Sequence, residues 1–349
     1  GILPELLPHD RLSKCNASLE MWTFIAIIAG TAAGGFLLDM AGASIWLSGF
    51  CLAAFAVAGF VASIGIPDVP AARSEGGLFD TLKWSLQAIL NDRVIWLAVL
   101  GSGLFWAVAS LLGQDILVYA KALTRGQPGS DTLSGLPLAF YGLGVGFGSV
   151  WAGRLSGRLV EYGLIPLGAI GIGFFTMLFG LLAPGYHATL AIMTALGIAS
   201  GLIVVPLNAI LQWRSPAERR GGIIALANVF IFASIVVGSL GAAGLAMAGL
   251  SPLAILVFAS IITSGGMLWA IYLLPDFLIR LIFVIITHFF YRLTIVNGEK
   301  IPLEGGALLV PNHVSFIDSF LVMASTDRQV RFLVDEIYYH HPMLHWLMK

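Results

Sequence analysis

Near the end of the chain a histidine and an aspartate lie five positions apart, in the run Pro311-Asn312-His313-Val314-Ser315-Phe316-Ile317-Asp318. We expect a buried strand to end before this run and a helix to begin inside it, which would let His313 and Asp318 meet across the turn. The carboxylate would fix the tautomer of the imidazole and stabilise the imidazolium that forms when the histidine takes a proton from a hydroxyl group. The spacing predicts a general base.

The same residues also fit a purely structural arrangement. Ser315-Phe316-Ile317-Asp318 matches the S-x-x-[DE] capping box, in which the aspartate binds backbone N–H groups at the start of a helix. His313 would then be a loop histidine whose hydrogen bonds are satisfied nearby. The residues by themselves leave both interpretations open.

Three polar side chains interrupt long apolar runs, where ionisable and amide groups often mark a functional site: Asp115, Asn208 and Asn228. Asp115 is predicted near the non-cytoplasmic end of its helix, where it either reaches interfacial water or binds a headgroup or a proton. The two asparagines either line a polar cavity or tie two helices together. These three, with Asn312 and Ser315, are the candidate substrate-binding residues.

The composition places these residues in a membrane protein. Of 349 residues, 58% are hydrophobic and 11% are charged, whereas a soluble domain carries about 25% charged residues. The 18 Lys and Arg nearly balance the 19 Asp and Glu, so no strong positive field attracts a nucleic acid. Cys15 and Cys51 have neither disulfide-framework nor zinc-site spacing. An ordinary soluble enzyme, a disordered tail and a nucleic-acid binder are excluded.

Eight apolar runs are long enough to span a bilayer, which takes about 20 helical residues. They cover residues 20–38, 43–66, 94–118, 134–152, 164–183, 189–211, 222–247 and 252–274. The runs are continuous, so they predict helices and not the alternating strands of a barrel. Ten of the twelve Lys and Arg in the connections lie on one side, which predicts that both ends of the bundle face the cytoplasm.

Two further patterns concern the organisation of the bundle. The long connector 67–93 contains residues 78–84, which we expect to form an amphipathic helix on the membrane surface. Residues 11–39 align without gaps on 219–247, with Gly30 opposite Gly238, as in the parallel repeats of a two-half transporter.

Glycines four positions apart form one stripe on each of three predicted helices. The pairs are Gly30 and Gly34, Gly144 and Gly148, and Gly197 and Gly201. Such stripes let helix backbones approach closely in lipid, either as static packing or as a sliding gate.

The start of the chain, Gly1-Ile2-Leu3-Pro4-Glu5-Leu6-Leu7-Pro8 with Asn16 and Glu20 opening a helix, resembles a cytoplasmic loop of bacterial lysophospholipid transporters in the major facilitator superfamily. The turn Gly153-Arg154-Leu155-Ser156-Gly157-Arg158 resembles the second copy of that superfamily's basic loop motif. The resemblance implies that residues 1–274 hold helices five to twelve, about eight of twelve, and that four helices precede Gly1. It also implies a multi-pass protein of the inner (plasma) membrane that carries lysophospholipid.

Beyond residue 274 the pattern changes. Phe277–Tyr291 is apolar but too short to span and contains Arg280 and His288, so we expect residues 275–293 to form an interfacial helix and linker. Short strands are predicted at 294–297, 307–310 and 330–334. His341 and His345 have helical metal-ligand spacing, but their apolar neighbours favour a helix start, and no metal is expected.

Residues 294–349 resemble the entry to the glycerolipid acyltransferase family, with a V-x-G-x-x-x-[IL]-P lead-in and an N-H-x-S-x-x-D motif. The matching residues are Val296, Gly298, Ile301, Pro302, Asn312, His313, Ser315 and Asp318. The resemblance implies that His313 is the general base and Asp318 its orienting partner. It also implies that acyl-CoA or acyl-carrier protein donates the acyl group as a cosubstrate, without a bound cofactor. The family's Glu-Gly-Thr-Arg block is not found, so the active site is incomplete in these residues.

These patterns together predict an α-helical polytopic membrane protein followed by the start of an α/β acyltransferase domain. The expected activity is lysophospholipid transport in the lipid bilayer, coupled to acylation of the lipid on the cytoplasmic side. Two alternatives remain: a facilitator-type small-molecule efflux transporter with an inactive or regulatory tail, and an acyltransferase that uses the bundle only as an anchor.

Overall fold

The structure is a computed structural model that describes residues 11–41, 45–66, 77–127, 129–156, 160–216, 219–273, 275–291, 293–296, 300–302, 305–312, 314–315, 317–326 and 330–333. Eleven helices lie within these ranges. They are α1 (Leu12–Ala41), α2 (Ile45–Ser63), α3 (Leu78–Asn91), α4 (Arg93–Thr124), α5 (Ser130–Leu155), α6 (Leu164–Leu182), α7 (Tyr186–Arg214), α8 (Arg220–Met247), α9 (Pro252–Leu273), α10 (Pro275–Phe290) and α11 (Asp318–Ser325).

A helix occupies each of the eight predicted apolar runs, namely α1, α2 and α4 to α9. Within the described ranges, the six helices α4 to α9 are long and apolar enough to cross a membrane. Several are longer than predicted: α4 has 32 residues, which corresponds to about 48 Å at 1.5 Å per residue. Since the hydrocarbon core is about 30 Å thick, α4 extends into the interface. The predicted helical membrane bundle is confirmed.

Two of the glycine stripes pack directly against each other where α5 meets α7. A Cβ added to Gly144 would collide with the carbonyl oxygen of Thr194, and one added to Gly197 would collide with that of Tyr141. Gly148 lies in the same way against the carbonyl of Ile198. Only glycine permits this backbone approach, which explains the spacing on both helices.

The proposed repeat partners Gly30 and Gly238 differ in their packing. A Cβ at Gly238 would meet the carbonyl oxygen of Ala107, so α8 packs closely on α4 there. A Cβ at Gly30 would meet no atom within 4 Å. The two aligned glycines therefore do not have the same surroundings, because α1 and α8 are similar in composition but face different neighbours.

The connector contains the predicted amphipathic helix, which runs further than expected, from Leu78 to Asn91. One face, with Ser85 and Ile89, is buried against the start of α8. A second apolar face is exposed: Phe79, Leu82, Leu86 and Leu90. This two-sided pattern suits a helix at the membrane surface, and that location stays a prediction.

The chain divides into two compact units, Gly1–Leu278 and Ile279–Lys349. In the second unit the ring centroids of Phe283 and Phe320 lie 4.3 Å apart, and Arg280 donates to the carbonyl of Thr326 at 2.9 Å. These contacts pack α10 against α11 and the residue that follows it. With 16 residues, α10 is shorter than a span, as predicted.

The strands predicted in the tail are absent from its described residues. Residues 294–296, 306–310 and 330–333 do not form strands. The side chains of Val296, Leu308 and Val310 are 76–84% exposed. A strand requires a neighbour that supplies hydrogen bonds along its length, and a short apolar run does not specify that neighbour. Asn297 and Val334 lie outside the described residues.

Candidate functional site

Two pairs of polar side chains connect α1 and α7 inside the bundle. The amides of Asn16 and Gln212 exchange two hydrogen bonds, of 3.0 and 2.9 Å, and Asn16 also donates to the carbonyl of Leu12. Asn208 donates to the carboxylate of Glu20 at 2.9 Å. We call Asn16, Glu20, Asn208 and Gln212 the polar ladder.

The geometry of the ladder follows from helix periodicity. Asn16 and Glu20 lie four positions apart on α1, and Asn208 and Gln212 lie four positions apart on α7, so each pair occupies one helix face. The order is reversed on α7, as antiparallel neighbours require. Each helix thus presents two polar groups to the other.

The side chain of Asn208 ties two helices together. Its predicted role in binding substrate stays a prediction. Asn228 does not join the polar ladder, because its side chain is exposed on α8. Neither Glu20 as the partner of Asn208 nor the pairing of Asn16 with Gln212 was predicted from the sequence. The matching four-residue spacing of polar groups on two spans is the signal that could have identified them.

Asp115 is buried in α4 with 6% of its surface exposed. Its Oδ2 atom has no hydrogen-bond partner among the described residues. An ionised carboxylate without a partner is strongly disfavoured in such surroundings. Both interpretations of Asp115, contact with interfacial water and a site for a headgroup or a proton, stay predictions.

A second pair of contacts lies where α7 ends and α4 begins. Arg214, the last residue of α7, contacts Asp92 with an Nε–Oδ2 distance of 2.8 Å. Asp92 also caps α4 by accepting hydrogen bonds from the N–H groups of Val94 and Ile95 at 2.9 and 3.3 Å. Partial burial alone would raise the pKa of Asp92, but the hydrogen bonds from Arg214, Ile95 and Val94 outweigh it and hold that pKa below its ordinary 3.8.

A cation–π contact involves the connector helix α3. The guanidinium carbon of Arg219 is 3.8 Å from the ring centroid of Trp84. This contact joins α3 to the residue that precedes α8.

A cavity of about 550 Å³ lies among α4, α5, α6, α7 and α9. Its wall is largely apolar and includes Leu104, Val108, Ile172, Met193 and Met267. No local pattern in the sequence indicates this cavity, because its lining residues range from Phe24 to Phe277 along the chain.

In the tail, the carboxylate of Asp318 accepts from backbone N–H groups as the capping box predicts, while the N–H of Asp318 itself donates to the backbone carbonyl of Ser315 and not to its hydroxyl. Asp318 Oδ2 accepts hydrogen bonds from the N–H groups of Val314 and Ser315 at 2.6 and 2.8 Å, and Ser315 Oγ accepts from Ile317 at 3.4 Å. Both of the short hydrogen bonds use Oδ2 of Asp318. A role of this carboxylate beside His313 stays a prediction.

The other predicted tail residues have mixed outcomes. Asn312 and Ser315 are exposed. His313, His341 and His345 lie outside the described residues, as do Gly1–Pro8 and the end of the Gly153–Arg158 turn. The role of His313 stays a prediction.

Comparison with known families divides the chain in two. The Major Facilitator Superfamily profile matches residues 1–239, and the Acyltransferase profile matches residues 292–349. No solved structure matches the chain.

Individual relatives match the transporter portion. Lysophospholipid transporter LplT of Photorhabdus laumondii is 31% identical over 223 residues, which covers 61% of this chain and 53% of the relative. The proteins of the same name from Escherichia fergusonii and Citrobacter koseri are 32% and 31% identical, and each match covers 76% of this chain and 64% of the relative. The chain thus spans between about half and two thirds of the length of these curated relatives.

Proposed function

Because this chain belongs to the major facilitator superfamily, we propose that it moves lysophospholipids across the inner membrane and delivers them to an acyltransferase in the same chain. One observation carries this proposal. A portion similar to proteins named as lysophospholipid transporters is joined to a portion that matches the acyltransferase family.

The chemistry of the substrate explains why the two activities belong together. A lysophospholipid has one acyl chain and a free hydroxyl group where the second chain is missing. Transport brings that hydroxyl to the cytoplasmic leaflet, where an acyltransferase restores the chain. Joining the two activities raises the effective concentration of the lipid at the enzyme.

The acyl-transfer step follows from the N-H-x-S-x-x-D motif. His313 takes the proton of the lipid hydroxyl as its oxygen attacks the carbonyl carbon of an acyl thioester. The tetrahedral intermediate collapses, the carbon–sulfur bond breaks, and the thiolate leaves with the proton that His313 returns. Asp318 orients the imidazole, and its Oδ2 also accepts hydrogen bonds from the N–H groups of Val314 and Ser315. Acyl-CoA or acyl-carrier protein supplies the thioester.

In the bundle, we assign contact with the lipid headgroup to Asn208 and Glu20, and a second polar contact to Asp115. Two observations support this assignment. Asn208 and Glu20 are hydrogen-bonded to each other, and Asp115 is buried, in helices that are otherwise apolar. Polar groups in such surroundings are the expected contacts for a charged headgroup.

The test uses the full-length protein in proteoliposomes with radiolabelled lysophosphatidylethanolamine, and with acyl-CoA or acyl-carrier protein as the donor. The wild type should take up the lipid and form diacyl product. His313→Ala should take up the lipid normally and form no diacyl product.

The rival functions give different results in the same assay. Acylation without lipid movement would overturn the transport half and favour a bundle that serves only as an anchor. A wild type that neither moves nor acylates the lipid would favour small-molecule efflux with an inactive tail.

A further inference from the structure

The 550 Å³ cavity has walls that suit an apolar ligand. Three of the hydroxyl groups that line it donate hydrogen bonds within the protein. Tyr141 donates to Ser200 at 3.0 Å, Ser200 to the carbonyl of Leu196 at 2.9 Å, and Thr263 to the carbonyl of Ala259 at 2.8 Å.

The remaining lining serine is paired in the same way. The hydroxyl oxygens of Ser110 and Ser239 are 2.6 Å apart, and Ser110 also lies 3.1 Å from the carbonyl oxygen of Ile235. These hydroxyl groups therefore do not require a polar ligand. A ligand without hydrogen-bonding groups leaves every one of these bonds intact.

We propose that this cavity binds the acyl chain of the transported lysophospholipid, apart from its headgroup. This inference rests on the proposed transport function and adds a binding site to it. The lipid's chain lies in the hydrocarbon core before and after transport. Each CH₂ group exposed to water on the way would lower the population of the intermediate about fourfold.

The size of the cavity agrees with a single chain. A CH₂ group occupies a volume similar to that of a water molecule in the liquid, about 30 Å³. A volume of about 550 Å³ then holds about 18 such groups. This is one long acyl chain and not the two chains of a diacyl phospholipid, so the cavity selects the lipid that lacks a chain.

Gly113 allows the cavity to be filled without a steric clash at the backbone. It lines the cavity, and a Cβ added there meets no atom within 4 Å. Gly265 on α9 is a matched control, because a Cβ there also meets nothing within 4 Å and the residue does not line the cavity. Gly113→Phe and Gly265→Phe thus place the same side chain inside and outside the proposed site.

The experiment measures uptake of lysophosphatidylethanolamine with a 16-carbon or a 10-carbon chain by the full-length protein in proteoliposomes. Gly113→Phe should lower uptake of the 16-carbon lipid about tenfold and change uptake of the 10-carbon lipid less than about twofold. Gly265→Phe should leave both rates unchanged. Equal loss for both chain lengths, or no loss for either, would overturn the proposal.

A second measurement does not depend on transport or on the folding of a variant. Wild-type protein is photolabelled with a lysophospholipid that carries a diazirine at the end of its chain, and the labelled residues are mapped by mass spectrometry. Labels on α4 and α7 near Val108 and Met193, displaced by unlabelled lysophospholipid but not by diacyl phospholipid, are expected. Labels confined to the exposed residues Val237 and Leu240 of α8 would overturn the site.

The two measurements separate the two proposals. If the wild type moves no lysophospholipid but the cavity is photolabelled, the transport function fails while the acyl-chain site stands. If transport occurs without chain-length selectivity in Gly113→Phe and without cavity labelling, the site fails while the transport function stands.

Discussion

The side-chain amides of Asn16 and Gln212 exchange two hydrogen bonds although 196 positions separate them in the chain. One turn along each helix, Asn208 donates to Glu20. Hydrogen bonds between membrane helices contribute only about 0.6 kcal/mol on average. The principal effect of the ladder is therefore on register, because a shift of one turn between α1 and α7 would break both pairs.

The effects of removing the two sides of the Asn16–Gln212 pair should not be additive. Asn16→Leu and Gln212→Leu each take from the remaining amide its partner on the other helix, whereas the double variant leaves neither amide. We expect each single variant to lower the free energy of unfolding by about 1–2 kcal/mol, and the double variant by less than the sum. Thermal unfolding of the purified protein in detergent measures this, and additive losses would show that the two amides are not coupled.

Substitutions of Asn208 and Asn228 should have different effects. Asn208→Leu removes the partner of the Glu20 carboxylate, so it should lower stability by about 1–3 kcal/mol and also reduce lysophospholipid uptake. Asn228→Leu changes an exposed side chain and should alter stability by no more than about 0.5 kcal/mol. Unfolding and uptake are measured on both variants, and similar effects at the two positions would contradict the arrangement seen here.

Glycine substitutions should separate close packing from open space. Gly148→Ala would press a methyl group against the carbonyl of Ile198 and should destabilise the bundle by about 1–3 kcal/mol. Gly30→Ala has room for the same methyl group and should be neutral or stabilising by up to about 1 kcal/mol. Melting temperatures of the two variants test this difference, and a destabilised Gly30→Ala would show that α1 has an unrecognised neighbour.

The helices could be predicted because membrane insertion requires one local property, a long apolar run, and every run from 94 to 274 satisfies it. The spacing of Gly144 and Gly148 predicts a close approach to another helix for a similar reason, since only small residues allow it.

The polar ladder could not be predicted from the local sequence, because the partner of Asn16 depends on how distant helices assemble. The same limit explains the tail. Ala307–Val310 has the composition of a strand, but a strand forms only beside a partner, and the sequence around it does not identify one. The acyl-chain cavity, finally, is the space left between helices, so no single run of residues specifies it.

The Asp92–Arg214 pair should make stability depend on pH in acid. Because the hydrogen bonds from Arg214 and the backbone hold the pKa of folded Asp92 below its ordinary 3.8, this carboxylate stabilises the fold above about pH 4. That contribution is lost as the pH falls through the lowered pKa. Asp92→Asn keeps a capping side chain but removes the charge.

Unfolding temperatures of the wild type and Asp92→Asn, measured from pH 7 down to pH 3, test this directly. The wild type should be more stable at pH 7, and the difference should shrink in the most acidic samples. A constant difference over this range would mean that packing, and not the charge of Asp92, accounts for the effect.

Substitutions in the tail can separate the cap from the catalytic role of its aspartate. Asp318→Asn retains an oxygen that can accept hydrogen bonds from Val314 and Ser315, so the helix start should persist. A neutral amide cannot stabilise an imidazolium, and loss of the equivalent aspartate in a catalytic triad lowers kcat about 10⁴-fold. Ser315→Ala removes only the weak 3.4 Å bond from Ile317 and leaves the carboxylate in place.

We therefore expect Asp318→Asn to lower kcat for acyl transfer by about 10³-fold or more with KM nearly unchanged, while Ser315→Ala stays within a few-fold of the wild type. Lysophospholipid uptake by the same samples serves as the internal control, because it should not change in either variant. If Asp318→Asn and Ser315→Ala have equally small effects on kcat, Asp318 is a helix cap alone. Acyl transfer in this family would then require another group to orient His313.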